Sequence, residues 1–364
     1  VTLKADGAPA VFAGTVPPNN EKAGEFFVAK KSLFNKTPKY YTTPEEVDAD
    51  TSGDLAEKLK SALRYLKDTI RSNGVFQGDF MYGEGDVKTE TIDGTEYYTF
   101  QPNTIVYAVP TDSELGKRIR KSRIGVIFHT RYEGDSFEEM SDSASFDVDI
   151  DRDFVETKEV WAEDANIKDL SGTATMTEKD TEEVTKALSV AGSIFQKISG
   201  TTLRQLEKNP DLARQIEQFN NTFVRKGEQI KDTKKHVNDL IKWFNDRFEQ
   251  EADKRKTQKG RDAQFQKRDE ILQFFSDDNK RNLKMMFDLQ QAIVDAKLII
   301  INKLDKLNSM NTFVRTEDGY KVTGQEGYVA VDHLSNNALK LVDRLEFSFN
   351  NFSPEILKAF DKRN

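Results

Sequence analysis

The sequence predicts an α+β fold in which both ends of the chain build one antiparallel-rich core and a large α-helical bundle is inserted between them. Three observations predict it. Short β-like runs separated by Gly, Pro and Asn turns fill residues 1–170, helical periodicity takes over across 171–310, and strand texture returns over 311–364.

In the first region Val1–Leu3, Ala10–Phe12, Glu25–Val28, Val75–Met81, Glu96–Phe100, Thr104–Val109 and Arg123–Phe128 read as strands. Turns such as Pro17-Pro18-Asn19-Asn20 and Asp93-Gly94 divide them. One helix interrupts the series from Asp54 to Arg71, where Leu55, Leu59, Leu63, Leu66 and Ile70 recur at helical spacing and Asn73-Gly74 stops the run. In the middle region Val184, Leu188, Ala191, Phe195 and Ile198 form one apolar stripe, and Leu240, Phe244 and Phe248 form another. Pro210 suits the first turn of a helix that restarts after Asn209. These signals predict four to six helices whose aromatic stripes are core. The stretch Arg247–Arg268 has few apolar residues and is expected as a solvated helix or hairpin tip. Beyond 311 the strand candidates are Asn311–Arg315, Tyr320–Val322, Gly327–Val331, Leu339–Val342 and Arg344–Ser348, and Ser353-Pro354-Glu355 opens a short final helix.

Composition narrows the function classes. The 37% hydrophobic and 32% charged content suits a globular chain with a very polar surface. The most apolar cluster, Ala296–Asn302, is too short to cross a bilayer, so no membrane partner is expected. The first residues lack a secretory-signal pattern, and because the chain starts at Val1 rather than Met, further sequence upstream is expected. The absence of cysteine excludes disulfides and thiolate chemistry. His129, His236 and His333 lie too far apart in sequence to suggest a zinc site. A net charge of -8 leaves room for nucleic acid only along a local basic groove. The alternation Asp147-Val-Asp149-Ile-Asp151 reads as a solvated strand face.

The first segment with chemical character is Lys4-Ala5-Asp6-Gly7. A lysine at a strand end suits attack on an α-phosphate once its amine is held neutral. An acid two residues on suits a ribose hydroxyl, and the glycine lets the backbone turn close to a nucleotide. A surface strand-turn is the plain alternative for these four residues. Gly78-Asp79-Phe80, Ile124–His129, Glu326-Gly327-Tyr328-Val329 and Leu339–Arg344 then follow in order. Phe128 reads equally well as a site residue or as a core aromatic.

In this order the segments resemble the motifs of the covalent nucleotidyltransferase superfamily, the DNA ligases, RNA ligases and mRNA capping enzymes. The whole chain is also similar to a family found in tailed bacteriophages, through Phe26-Phe27-Val28, Gln77-Gly78-Asp79, Gln101–Ile105 and Lys340–Arg344. The resemblance implies a ligase-like core that uses ATP, or less readily GTP, with Mg²⁺. Lys4 is then the nucleophile that carries the nucleotide, and Lys340 contacts the α-phosphate. Asp6 and Gly7 sit at the ribose, Asp79 replaces the usual glutamate, Phe128 stacks on the purine, and Glu326 organises the metal. Lys31 meets the other phosphates. Arg344 substitutes for a basic residue that the pattern has at Val342, and Pro9 stands where the pattern has arginine. The acceptor implied is the 5′ end of an RNA or DNA strand, and the location the host-cell cytoplasm. The alternative is a phage structural or interaction protein, carried in the virion, that keeps the fold without the activity and docks a phage partner through the helical insertion.

Overall fold

The computed structural model describes residues 1–3, 8–167, 175–307, 310–332 and 337–359. The chain divides into two compact units, one of Val1–Ala174, Leu304–Val342 and Pro354–Asn364, the other of Thr175–Lys303 and Asp343–Ser353. The architecture is α+β with mostly antiparallel sheets.

The first unit holds three sheets. One is a small antiparallel sheet in the order β1 (Thr2–Leu3), β12 (Tyr328–Asp332), β13 (Asn337–Leu341). The second runs β3 (Phe26–Ala29), β2 (Ala10–Thr15), β4 (Val75–Tyr82), β8 (Ile124–Tyr132), β9 (Val160–Asp164), and only its β8–β9 pair is parallel. The third runs β11 (Gly319–Val322), β10 (Asn311–Thr316), β7 (Ile105–Pro110), β6 (Thr95–Phe100), β5 (Lys88–Ile92).

Alternation along β4 decides the layering, because successive side chains on a strand point to opposite faces. Phe76 and Phe80 face α2 (Asp54–Tyr65) and share a core with its Leu59 and Ala62 and with Val11, Val126 and Phe128. Met81 faces the other way, into a cluster with Tyr82, Tyr107, Ile127 and Trp161. Full burial of each such large apolar side chain is worth about 1.5–3 kcal/mol. Shorter helices fill the connections: α1 (Pro44–Asp50), α3 (Glu114–Lys121), α4 (Phe137–Asp142) and α5 (Ile150–Asp153). Asp153, the last residue of α5, is fully buried, and burial pushes its carboxyl up. Hydrogen bonds from Arg152 and the Asp149 N–H outweigh that and hold it below the usual range.

The second unit is helical: α6 (Glu178–Phe195), α7 (Gly200–Lys208), α8 (Pro210–Val224), α9 (Thr233–Asp253), α10 (Gln258–Leu272), α11 (Asp277–Leu304), whose last residue passes into the first unit, and α12 (Arg344–Phe352). The stripe of Leu240, Phe244 and Phe248 enters one cluster with Leu212, Phe219, Leu283 and Phe287, whereas the stripe on α6 is not core as expected, since Leu188 and Phe195 are exposed. Asn209 caps α8, with Pro210 in its first turn, as the sequence implied. A capping box of Thr177 and Asp180 starts α6. Helix α10 has no buried residue, which fits the polar stretch Arg247–Arg268 that covers most of it.

Three further expectations need correction. Arg344–Ser348 is helix, not strand: the Asp343 carboxylate accepts from the N–H groups of Leu345 and Glu346, and this N-cap starts α12 within the helical unit. Residues 343–353 therefore belong with the bundle and not with the second part of the core. Ser353-Pro354-Glu355 opens no helix, because the chain turns there and the Leu357 N–H donates to the Arg315 carbonyl instead. The aspartates at 147, 149 and 151 form no strand face: Asp149 caps α5 and Asp147 pairs with Arg152.

Candidate functional site

A cleft of about 700 Å³ opens in the first unit between the small sheet and the β4 region. That is the size of a small-ligand site. One wall is set by register. Thr2 pairs with Val329 and Val329 with Lys340, so these three side chains form a row across the small sheet, and Ala338 joins them two residues along β13. On the opposite wall Gln77 and Asp79 share one face of β4, and Asp79 lies between Ala10 of β2 and Ile127 of β8. Lys30 and Lys31, just after β3, close one side.

A bulge in β8 shapes the second wall. Gly78 pairs with Phe128 but Gln77 pairs with Thr130, so His129 is an extra residue in the ladder. A bulge of this kind reverses which face the following residues present. Phe128 stays with Val126 on the core face, while His129 and Thr130 border the cleft. Glycine is required opposite the bulge, since a Cβ on Gly78 would meet the Ile127 carbonyl oxygen at 2.7 Å.

The charges are uneven. Lys30 lies 2.8 Å from the Asp50 carboxylate and 2.6 Å from the Thr51 hydroxyl. The hydrogen bond from Lys30, with others from Lys39 and Tyr41, holds the Asp50 carboxyl well below the usual carboxylate range, so Lys30 is neutralised locally. Lys31 and Lys340 are exposed and have no carboxylate partner among the described residues. Among the described residues the cleft walls thus carry two cations without a carboxylate partner and one carboxylate, Asp79, a balance that favours a polyanionic ligand that also carries polar groups.

Of the residues singled out in the sequence, Lys31, Asp79 and Lys340 are brought together here. Lys4, Asp6 and Gly7 lie outside the described residues. Their neighbours on either side, Leu3 and Ala8, both border the cleft. Phe128 does not line it. Its ring has no exposed surface and lies 4.6 Å from the Phe154 ring centroid in a stacked arrangement, so it has no face left for a purine. Arg344 does not line it either, because it sits on α12 with its guanidinium 2.9 Å from the Asn221 amide oxygen. Glu326 is buried just ahead of β12 and is not a wall residue of the cleft. Gly327 beside it has φ of +149°, and a Cβ there would meet the Val342 side chain at 2.6 Å. Val342 thus packs against a glycine that nothing larger can replace.

Residues 1–356 match the family DUF6267, described as a family of unknown function. The chain is a member of DUF6267. Because the match spans both units, the helical region is part of the DUF6267 sequence and not an appended module. No curated protein and no solved structure matches this DUF6267 chain.

Sequence reasoning passed over Gln77, His129 and Thr130 as wall residues of the DUF6267 cleft. The signal that finds the last two is the β8 bulge, which needs the pairing partner to be known. A second cavity, of about 420 Å³, lies in the same unit and shares Leu3 with the cleft.

Proposed function

We propose that this DUF6267 chain is a ligase-like nucleotidyltransferase that carries a nucleotide, AMP in the first instance, on Lys4 and passes it to the 5′ end of a nucleic acid. The observation that carries the proposal is the cleft itself. Lys31, Asp79 and Lys340, drawn from three separate parts of the sequence, share it, and the chain enters and leaves residues 4–7 at its wall through Leu3 and Ala8. In the first step the neutral Lys4 amine forms an N–P bond to the α-phosphorus of ATP. The bond between that phosphorus and the bridging oxygen breaks, pyrophosphate leaves, and the amine gives up a proton. Lys340 and Lys31 neutralise charge on the phosphates during this in-line displacement.

Magnesium at such a site is held by one or two carboxylates together with the substrate's own phosphates. Asp79 on the cleft wall fits that requirement, and no dedicated cage of several carboxylates is needed. Bound there, the ion would supply further charge neutralisation at the phosphates.

A second reading is a phage structural or interaction protein. It draws support from α6, where Leu188, Val190 and Phe195 are exposed on a helix of the second unit.

The deciding experiment is self-labelling. The protein is incubated with α-labelled ATP or GTP and Mg²⁺, denatured, and assayed for bound label. The reading expects an acid-labile, alkali-stable adduct that is absent in Lys4→Ala and weakened roughly 10²–10³-fold in rate in Lys340→Ala. No adduct from either nucleotide, in protein shown to be folded, sinks the lysine mechanism and leaves the interaction reading.

A further inference from the structure

The turn between α9 and α10 breaks the charge pattern of the helical unit. Elsewhere in the bundle cations are matched by acids one helical turn away, as in Arg214–Asp211, Lys235–Asp239, Arg281–Asp278 and Lys284–Asp288. This turn instead reads Lys254-Arg255-Lys256-Thr257-Gln258-Lys259-Gly260-Arg261, with five cations and no acid. Lys254 pairs with Glu251 at 2.7 Å. Arg255, Lys256, Lys259 and Arg261 are exposed and have no carboxylate partner among the described residues, and Arg261 reaches only the Arg255 carbonyl. Residues 175–303 carry 25 Lys and Arg against 21 Asp and Glu, and without the five cations of the turn the balance falls to 20 against 21. In a chain of net charge -8, the positive excess of this segment is gathered in one turn.

Neither helix stability nor packing asks for these side chains. The N-terminus of a helix carries a partial positive charge that acids stabilise and cations oppose. Thr257 caps α10 by accepting from the Gly260 N–H, yet the first turn of α10 has no acid and holds Lys259, with Lys256 just ahead and Arg261 just behind. No residue from 249 to 270 belongs to the apolar cluster that holds the bundle. Cations kept together against the local field, outside the packed region, form the footprint of a polyanion site.

Nucleic acid and an anionic membrane are the two polyanions to weigh. A helix that binds a membrane surface needs an apolar face. Between 253 and 264 the only apolar side chain is that of Ala263, and Phe265 beyond it is covered by the Arg268 guanidinium, 5.0 Å from the ring centroid. A row of phosphates needs cations and no apolar face.

We infer that the α9–α10 turn grips the phosphate backbone of a nucleic-acid strand through Arg255, Lys256, Lys259 and Arg261. The contact is independent of base sequence, because phosphates carry no sequence information. The inference stands on charge placement and holds whether or not Lys4 carries a nucleotide. Joined to the nucleotidyltransferase reading, it gives the acceptor strand a hold on the helical unit in addition to the cleft.

The test is titration of the full-length protein with a fluorescently labelled single-stranded oligonucleotide, from about 50 to about 200 mM salt. Two variants carry the same change of charge. One combines Arg255→Gln, Lys256→Gln, Lys259→Gln and Arg261→Gln. The other combines Lys186→Gln, Lys208→Gln, Lys231→Gln and Lys234→Gln, exposed lysines elsewhere in the helical unit. The turn variant is expected to bind at least about tenfold more weakly near ~100 mM salt, and to lose about 0.7 of the salt slope for each phosphate contact removed, about 3 for all four. The control variant is expected to stay within about twofold. Its N-terminus freed of cations, α10 in the turn variant is expected to melt no earlier than before, which separates lost binding from lost folding. Equal weakening in both variants, unchanged binding in the turn variant, or no strand binding by the unaltered protein overturns the inference. Capture by phosphatidylserine vesicles that disappears in the turn variant, without strand binding, also overturns it, in favour of a membrane contact. The two ideas fail separately: Lys4 labelling without turn-dependent binding removes only this inference, and turn-dependent binding without labelling removes only the covalent step.

Discussion

The two units hold their chains together in different ways, and the contrast explains where chemistry can reside. In the mixed unit, strand register fixes which side chains stand next to each other. Thr2, Val329 and Lys340 form a row because three strands pair in one register, and Asp79 meets Ala10 and Ile127 for the same reason. In the helical unit one apolar cluster along α8, α9 and α11 holds the helices, and the polar faces are laced with local ion pairs such as Lys235–Asp239 and Lys284–Asp288, both at 2.6 Å. Such pairs near the surface add little stability, and they cancel charge locally. That surface is well solvated and not poor in charge, since residues 175–303 carry 25 Lys and Arg against 21 Asp and Glu. A lattice of paired strands can bring isolated cations to a common cleft.

The contrast can be broken most forcefully at Phe244. Its ring is fully buried and packs on Trp243 and Phe275, with centroids 5.3 and 5.6 Å away. Phe244→Ala is expected to cost about 3–5 kcal/mol. If the units are energetically distinct, calorimetry shows the helical transition falling while the transition of the mixed unit stays in place. Loss of both together would mean that the division into units has no thermodynamic counterpart. A smaller effect is expected at Gly78, where the added methyl of Gly78→Ala meets the Ile127 carbonyl oxygen first, with the buried Val126 and Phe128 side chains close behind. About 1–3 kcal/mol of destabilisation is expected, confined to the mixed unit, with weaker AMP binding measured by titration.

The smallest effect is acid sensitivity, and it should separate the units by pH. His236 is buried among Phe219, Phe223 and Phe287, and burial lowers its pKa from the ordinary 6.5. Its folded pKa therefore lies below its unfolded one. The helical unit keeps full stability from this group above about pH 6.5 and loses it as pH falls through the folded value. In the mixed unit the depressed groups are carboxylates. Glu90 feels burial pushing its pKa up, but hydrogen bonds from Thr99 and Tyr320 and the charge of Arg315 hold it down. That contribution is lost only below about pH 4.3. Melts followed at pH 7 and pH 5 are expected to show the helical unit weakening first. Equal loss in both units would break the assignment of the pH response to His236.

Much of this architecture is legible in the sequence because it rests on local periodicity. The stripe of α2, the restart at Asn209-Pro210 and the solvated α10 all follow from spacing within one segment. What was not legible depended on partners distant in sequence. β5, with the polar run Lys-Thr-Glu-Thr-Ile, is a strand because β6 pairs with it residue by residue. Arg344–Ser348 has strand-like alternation, but the Asp343 cap makes it helical. Phe128 is aromatic and near a cleft, and only the β8 bulge determines that its neighbours face the opening instead.

The last helix has a consequence for how this chain can be cut. The polypeptide enters the helical unit at 175, leaves it at 303, re-enters at 343 and leaves again at 353. A fragment of residues 175–303 would lack α12, and a mixed fragment made by deleting those residues would still carry it, stripped of Asn221, the partner of Arg344. Only two residues of backbone separate Lys340 from the Asp343 cap. The strand that presents a cleft lysine is thus leashed at its end to the first turn of a helix in the other unit.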